Sequence, residues 1–588
     1  MKFSNTVRAI FASALILTSA LTSACADKKQ DISGENVTTP ASQTAATTTA
    51  DPNIPDFTVG SANPATQPPA VTEPEIQQTE SEPVSTAEEP VVTEPPETAA
   101  PVTEPPVTAP PAAVAEQTQQ TDSEGYVIDD WSSGLDLKSE DPDELLQAFR
   151  IDKEHRSAYN LKISSETALP IIHITTKNNA EILSLDEYID CFVEVFNCDD
   201  IYKMEATSAE VRVRGNASAF YGDVSKIRKN GAPYRIKFTE KQSMLGLNDF
   251  ARCRSWVLLR TYETGVNDYL AFNLAKAINN GDYYSSDAAI VQLYINEEYA
   301  GPYVLCEQTQ ANSERIDITE PENGYTGTDI GYLVELDNYA EKPFFYITYN
   351  KEPITDVYGT TRVPRRYTYA IKSDTYSDEQ RAYIERYFEI AWEIPMRAIR
   401  DGQYYKFDEE LNLIPAQDEF SSAYDCISQV VNIDSVVDMY ITHEITNNQD
   451  VGGGSFFFAV DFAEGSKYPT LTMVSPWDFD WAYADYSSKA DGGLYAAKFK
   501  DSYFVEHWGD RSNPWLILFY SADWFQDLVK QKWQERYSSI TAAAGEVENF
   551  VVNYSDELNK DGTRRSGRAI TIVHWAQDRI EYLNTLWG

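Results

Sequence analysis

Two acidic motifs in the second half of the chain carry residue types that can do chemistry. The first is Pro476–Trp477–Asp478–Phe479–Asp480–Trp481. Read as the end of a strand, its alternation puts Asp478 and Asp480 on one face and the three aromatic rings on the other. Two carboxylates side by side repel one another unless a cation lies between them. A few hard oxygen ligands suit Mg²⁺ shared with phosphates. The same spacing also fits two surface aspartates over an aromatic core. The second motif runs from Asn447 through Asp450 to Gly454 and Ser455, between a helix and the apolar run 456–460. As a loop it needs no function, since Asn, Asp and Gly favour turns; as a site it offers the carboxylate of Asp450.

Other chemistries lack their residues. His443–Glu444 begins like a zinc-protease helix, but the position four residues on is Asn447, so the second histidine ligand is missing. His443 reads as a packed helix residue. There is no nucleophile elbow, phosphate-binding P-loop or dinucleotide glycine fingerprint. After Cys25 come Cys191, Cys198, Cys253, Cys306 and Cys426, an odd number without the spacing of a zinc site or a disulfide scaffold. Cys191 and Cys198 can pair if they lie on adjacent strands; otherwise these are small buried hydrophobes.

The elements that must hold the motifs follow from hydrophobic period. Strands are expected at 170–175, 190–197, 209–213, 234–238 and 256–260, with a hairpin at 290–307 turning at 296–298 and a further strand at 331–337. In 234–238, Tyr234, Ile236 and Phe238 share one face, so Arg235 and Lys237 share the other. Helical spacing marks 267–278, 378–400, 434–444, 515–544 and 566–587, interrupted by strands at 455–460 and 471–481. The class is α+β in two lobes, the first β-rich and the second helical.

The N-terminus is an address. Lys2 and Arg8 precede the apolar run 9–21, which reads as a secretory signal over 1–24. Leu21–Thr22–Ser23–Ala24–Cys25 resembles a bacterial lipobox, in which Cys25 is lipidated; the alternative is ordinary cleavage near Ala24. Residues 25–124 form a tether: 27–124 holds 16 of the 29 prolines and 17 acidic against 2 basic side chains, with Val-Thr-Glu-Pro repeats. Such a segment cannot bury a core and stays extended. An acidic lead-in, 125–163, precedes the folded part, 164–588. The net charge of -44 excludes a nucleic acid polymer as partner, because phosphate binding needs Lys and Arg to release counterions. No stretch after the signal reaches the roughly 20 apolar residues of a spanning helix. Membrane attachment is therefore expected only through a lipid at Cys25.

Seven segments in order resemble the spore-coat-protein CotH kinase family, from about Leu169 to Leu586. They are 169–175, Arg214–Gly215–Asn216–Ala217–Ser218, 233–238, Trp256–Leu259, the hairpin 294–303 leading to Glu307, 331–337 and Pro476–Asp480. The resemblance implies a divergent protein-kinase-like fold, with ATP and Mg²⁺ between a β-rich N-lobe and a helical C-lobe. It implies that Lys237, or else Arg235 on the same face, meets the nucleotide phosphates. Glu307 would pair with that lysine or help hold metal, Asp450 would be the acceptor base, and Asp478 the metal ligand with Asp480 second. The chain departs from the family at Gly454–Ser455, where an Asn is frequent; at Asn267–Asp268, where Arg–Asn is common; and at Asn296–Glu297, where Asn–Gly is usual. The expected activity is transfer of the ATP γ-phosphate to Ser or Thr of exported or surface proteins. The alternative is a catalytically inactive surface adhesion or scaffold protein.

Overall fold

Alternation along 234–242 is carried into the structure: Tyr234, Ile236 and Phe238 are buried, Arg235 half-buried and Lys237 exposed. The structure is a computed structural model. It describes residues 153–588, apart from 216, 221–230, 261–265, 338–339, 341, 350–353, 356–360, 363–365, 484–488 and 495–512. The signal, Cys25, the tether and the first part of the lead-in lie outside the described residues.

Seven strands close into a barrel: β1 (Ile171–Thr176), β2 (Ile189–Phe196), β3 (Met204–Val213), β4 (Tyr234–Gln242), β5 (Cys253–Arg260), β6 (Ala288–Ile295) and β7 (Glu298–Glu307). Their order is β1-β2-β3-β4-β5-β7-β6, and the parallel pairing of β1 with β6 closes the ring. Val211, Ile236, Trp256, Leu293 and Leu305 are among the residues packed inside. The β6–β7 turn keeps the left-handed geometry of a tight hairpin at Asn296 (φ 50°) and Glu297 (φ 66°), although glycine usually takes the second place. Asn296 Oδ1 accepts the Thr176 N–H at 2.8 Å, tying that turn to the end of β1. Within the lead-in, helix α1 (Lys153–Ser164) lays Ile163 on Ile171 and Tyr294 of the barrel.

A second sheet sits among the helices. Its order is β16-β15-β8-β12-β9, with β8 at Gly331–Leu336, β9 at Phe344–Thr348, β12 at Arg366–Ile371, β15 at Phe456–Asp461 and β16 at Thr472–Val474; β10 (Ile354–Thr355) with β11 (Thr361–Arg362), and β13 (Tyr405–Phe407) with β14 (Leu413–Pro415), form separate two-stranded pairs. The strand expected at 471–481 is therefore only three residues long. From Ser475 (φ 50°) the chain leaves the sheet, and Asp478 (φ 64°) lies in a left-handed turn. The α+β class stands. The β-rich half is a closed barrel, and the small β insertion expected in the second half pairs with β8 from the first.

The main helices among the described residues are α2 (Asn267–Asn279), α3 (Asp378–Arg400), α4 (Ala423–Ser428), α5 (Ile433–Thr446), α6 (Pro514–Tyr520), α7 (Asp523–Asn553) and α8 (Arg565–Trp587). The single helix expected over 515–544 is broken at 521–522, between α6 and α7. α3 starts at a capping box, Ser377 with Gln380, which satisfies two end groups reciprocally. α5 is buried along nearly its whole length, its polar residues Asp438, His443 and Glu444 included. α2 packs between the outer face of the barrel and helices α5 and α7. Cys191, Cys198, Cys253, Cys306 and Cys426 are all free thiols, so Cys191 and Cys198 do not pair.

Candidate functional site

The site forms where α5 ends, β16 ends and α2 begins. α5 is stopped by Asn447 in the left-handed conformation, φ 45°. The next residue, Asn448, is buried; its amide donates to the Asp478 carbonyl at 3.1 Å and its Oδ1 accepts the Asp450 N–H at 3.1 Å. Ser455 closes the loop and donates its hydroxyl to Asp478 Oδ2 at 3.1 Å. One asparagine and one serine thus tie the loop bearing Asp450 to Asp478.

Aromatic anchors orient Asp478 and Asp480. Trp477 stacks on Phe272 of α2 at 5.5 Å between ring centroids. Phe479 meets the edge of the same Phe272 and stacks on His443 at 5.6 Å. With both rings held inward, the intervening and following aspartates are turned outward. Strand alternation gave this grouping for a different reason. Burial pushes the His443 imidazole down to about 3, so His443 is a neutral packing surface.

The first turn of α2 grips the same segment, which the sequence pattern did not disclose. Asp268 Oδ1 accepts the Phe479 N–H at 3.0 Å, and the Asn267 amide donates to the carbonyls of Phe479 (3.2 Å) and Asp480 (3.4 Å). In sequence this pair was visible only as a departure at a helix start. Burial raises the Asp268 carboxyl to about 6, the Asp478 charge adds to that, and the Phe479 N–H and Arg214 oppose it. Asp480 is pushed well above the carboxylate range by burial, then by Asp478, Asp268 and Asp450. Burial and neighbouring carboxylates therefore push Asp268 and Asp480 in the same direction.

Opposite lies the barrel. Arg214 and Ser218 from the 214–218 segment, and Arg260 at the end of β5, line a small open cleft whose other wall carries Asp268, Asp478 and Asp480. The Arg214 guanidinium lies 5.7 Å from the Trp477 ring centroid, a cation–π distance. Arg235 is beside it: its Nη2 donates to Ser255 Oγ at 3.2 Å, and burial together with Arg212, Arg214 and Arg315 lowers its pKa. Lys237 is not brought to this cleft. Its Nζ is 2.8 Å from Glu210 Oε1 and lies over the Tyr188 ring at 5.6 Å. The register explains this, since Glu210 and Lys237 are directly opposed across β3 and β4.

Glu307 also takes a different partner from the one expected. It is fully buried, with Oε1 3.4 Å from Arg315 Nε, and Oε2 accepts the Asn248 amide and the Asp287 N–H at 3.3 Å. Burial raises its carboxyl, and Arg315 opposes the rise. Arg315 also donates to the carbonyls of Gln308 and Ser255, both at 2.7 Å. Glu307 and Lys237 are thus satisfied by Arg315 and Glu210 respectively, and the lysine–glutamate pair does not form.

The donor set suits a hard divalent cation: carboxylates, a hydroxyl, and the buried Asn267 Oδ1, which lacks a hydrogen-bond partner. Among the described residues no three His, Cys, Asp or Glu side chains are drawn together as a finished metal cage. That fits Mg²⁺, which keeps waters and phosphate oxygens and takes only one or two protein carboxylates.

The cleft of this α+β body thus sets Arg214 and Arg260 against Asp268, Asp478 and Asp480. The comparison with known families is more specific: the chain belongs to the family described as CotH kinase protein, whose pattern matches residues 211–585. That span holds both walls of the cleft, and membership suggests a kinase-like function. No curated protein matches the chain.

Proposed function

We propose that this protein is a kinase-like enzyme, exported and tethered at the cell surface, that transfers the γ-phosphate of ATP to Ser or Thr of exported or surface proteins. The observation that carries the reading is the wall of Asp268, Asp478 and Asp480 across the cleft from Arg214 and Arg260. The barrel takes the part of an N-lobe and the helices with their five-stranded sheet that of a C-lobe. Mg²⁺ on the nucleotide supplies charge neutralisation for the transferring phosphoryl group. Asp478 and Asp480 would hold it, with Ser455 fixing the Asp478 rotamer in place of the amide frequent in the family. Arg214 and Arg260, with Arg235 behind them, are the cations for the phosphates. Asp450, held by Asn448, accepts the proton of the acceptor hydroxyl.

The inactive-scaffold reading draws on Gly454–Ser455 and on the missing preformed cage. Two measurements separate the readings. ATP with Mg²⁺ is expected to raise the melting temperature of the full chain, since a ligand of the folded state stabilises it by RT ln(1 + [L]/Kd); no shift at millimolar nucleotide favours the scaffold. Asp478→Asn is expected to abolish Mg²⁺-dependent autophosphorylation, and undiminished labelling in that variant would sink the assignment. Export and tethering rest on residues 1–124; among the described residues no helix is long and apolar enough to cross a membrane. Acyl labelling that survives Cys25→Ser would remove the lipid anchor from the proposal.

A further inference from the structure

One guanidinium joins the chain on both sides of the acid cluster. Arg579 lies in α8, far along the sequence from every motif, and is 3% exposed. Its Nε donates to the Glu444 carbonyl at 3.0 Å and its Nη2 to Glu444 Oε2 at 2.9 Å. Its Nη1 donates to the carbonyls of Ala490 (2.9 Å) and Gly493 (2.8 Å). Glu444, 1% exposed, is also fixed through Oε1, which accepts the Tyr440 hydroxyl at 2.9 Å.

The placement of these partners matters more than their number. Glu444 is in the last turn of α5, six residues before Asp450, where helix carbonyls lack partners inside the helix. Ala490 begins ten residues after Asp480, on the continuation of the metal-type segment. Four acceptors on two chain segments are thus met by one planar, always-charged fork. A lysine ammonium, a point charge with three rotatable donors, cannot reproduce that pattern. At the site the loop 447–455 is tied to the segment 478–481 by Asn448 to Asp478, Ser455 to Asp478 and Gln449 N–H to Trp481 O at 3.4 Å. Arg579 supplies a second tie, between the last turn of α5 and residues 490–493.

We infer that Arg579 is a positioning residue that fixes Asp450 relative to Asp478 and Asp480. The inference rests on the metal-binding reading of the acid cluster. The test uses the full chain, with Mn²⁺ alone as the probe, its dissociation constant read by electron paramagnetic resonance, and amide exchange over 447–455 measured alongside. Arg579→Lys is expected to weaken Mn²⁺ binding by roughly tenfold, the scale found for outer-shell partners of metal ligands, and to speed exchange in that loop. Parent binding with an unchanged constant in the folded variant would overturn the inference. If the parent binds no Mn²⁺, the metal reading fails instead, and unchanged exchange would then dispose of Arg579 separately. Should Arg579→Lys not fold, Tyr440→Phe removes only the hydroxyl that orients Glu444. It is expected to move both readings in the same direction by a smaller factor, and no movement in either would again overturn the inference.

Discussion

Two buried acidic sites, some distance apart in the chain, are treated in opposite ways. Glu307 is enclosed completely, yet a guanidinium, a side-chain amide and a backbone N–H converge on it. Asp268 and Asp480 are also desolvated, but their strongest charged neighbours are other carboxylates. A compensated buried ion pair is architecture: its geometry is complete without any ligand. A buried carboxylate left among its own kind stores repulsion that a cation relieves, and perturbation of this sort is what a functional site needs. The contrast also corrects the expected pairing of Glu307 with Lys237, since Glu307 takes Arg315 instead.

Breaking the compensated site should give the largest change in stability. Arg315→Met strands Glu307, which is expected to cost about 3–5 kcal/mol in urea unfolding, with the Mg²⁺-dependent thermal shift kept in whatever fraction folds. Breaking the uncompensated site should do the reverse. Asp478→Asn is expected to lower the transfer rate by roughly 10²–10³-fold, the size of losing one electrostatic group at a reacting centre, while the unfolding midpoint in EDTA stays the same or rises.

The pH dependence sharpens the same contrast. The folded-state pKa of Asp268 is raised, so the folded protein holds a proton that the unfolded chain releases near pH 4. Stability contributed by that proton is full below about pH 4 and lost as pH rises to about 6. The loss is at most about 3 kcal/mol. Asp268→Asn keeps an oxygen for the Phe479 N–H and removes the titration. In EDTA its melting temperature should fall less than the parent's between pH 4 and 7; equal slopes would show the burial argument to be wrong. The smallest effect is expected at Lys237→Met. An exposed pair with Glu210 contributes roughly 0–1 kcal/mol, and nucleotide affinity should be unchanged, whereas Arg214→Met should weaken it.

What the sequence made legible follows from the range of the interactions involved. β4 declared its two faces because alternation is local, and α3 has the bounds its period implies, Asp378–Arg400. The acidic motifs were legible because three of the four carboxylates lie within 31 residues of one another in sequence. Asp268 was not, since its partner Phe479 is 211 residues away. The 471–481 strand was over-read because inward aromatic anchors imitate alternation; the left-handed Asp478 leaves no period of its own. Lys237 and Arg235 share a face, but only the barrel's closure decides which of them stands near Arg214.

The same closure bears on how the chain becomes folded at all. β1 meets β6 through Ile171 and Gln292, and β8 waits for β15, with Gly331 opposite Asp461. Neither sheet can be finished until well over a hundred further residues have emerged, and pairings of such long range form slowly. Slow acquisition of structure keeps a polypeptide pliable enough to be threaded through a translocation channel before it locks, which would suit the export proposed above.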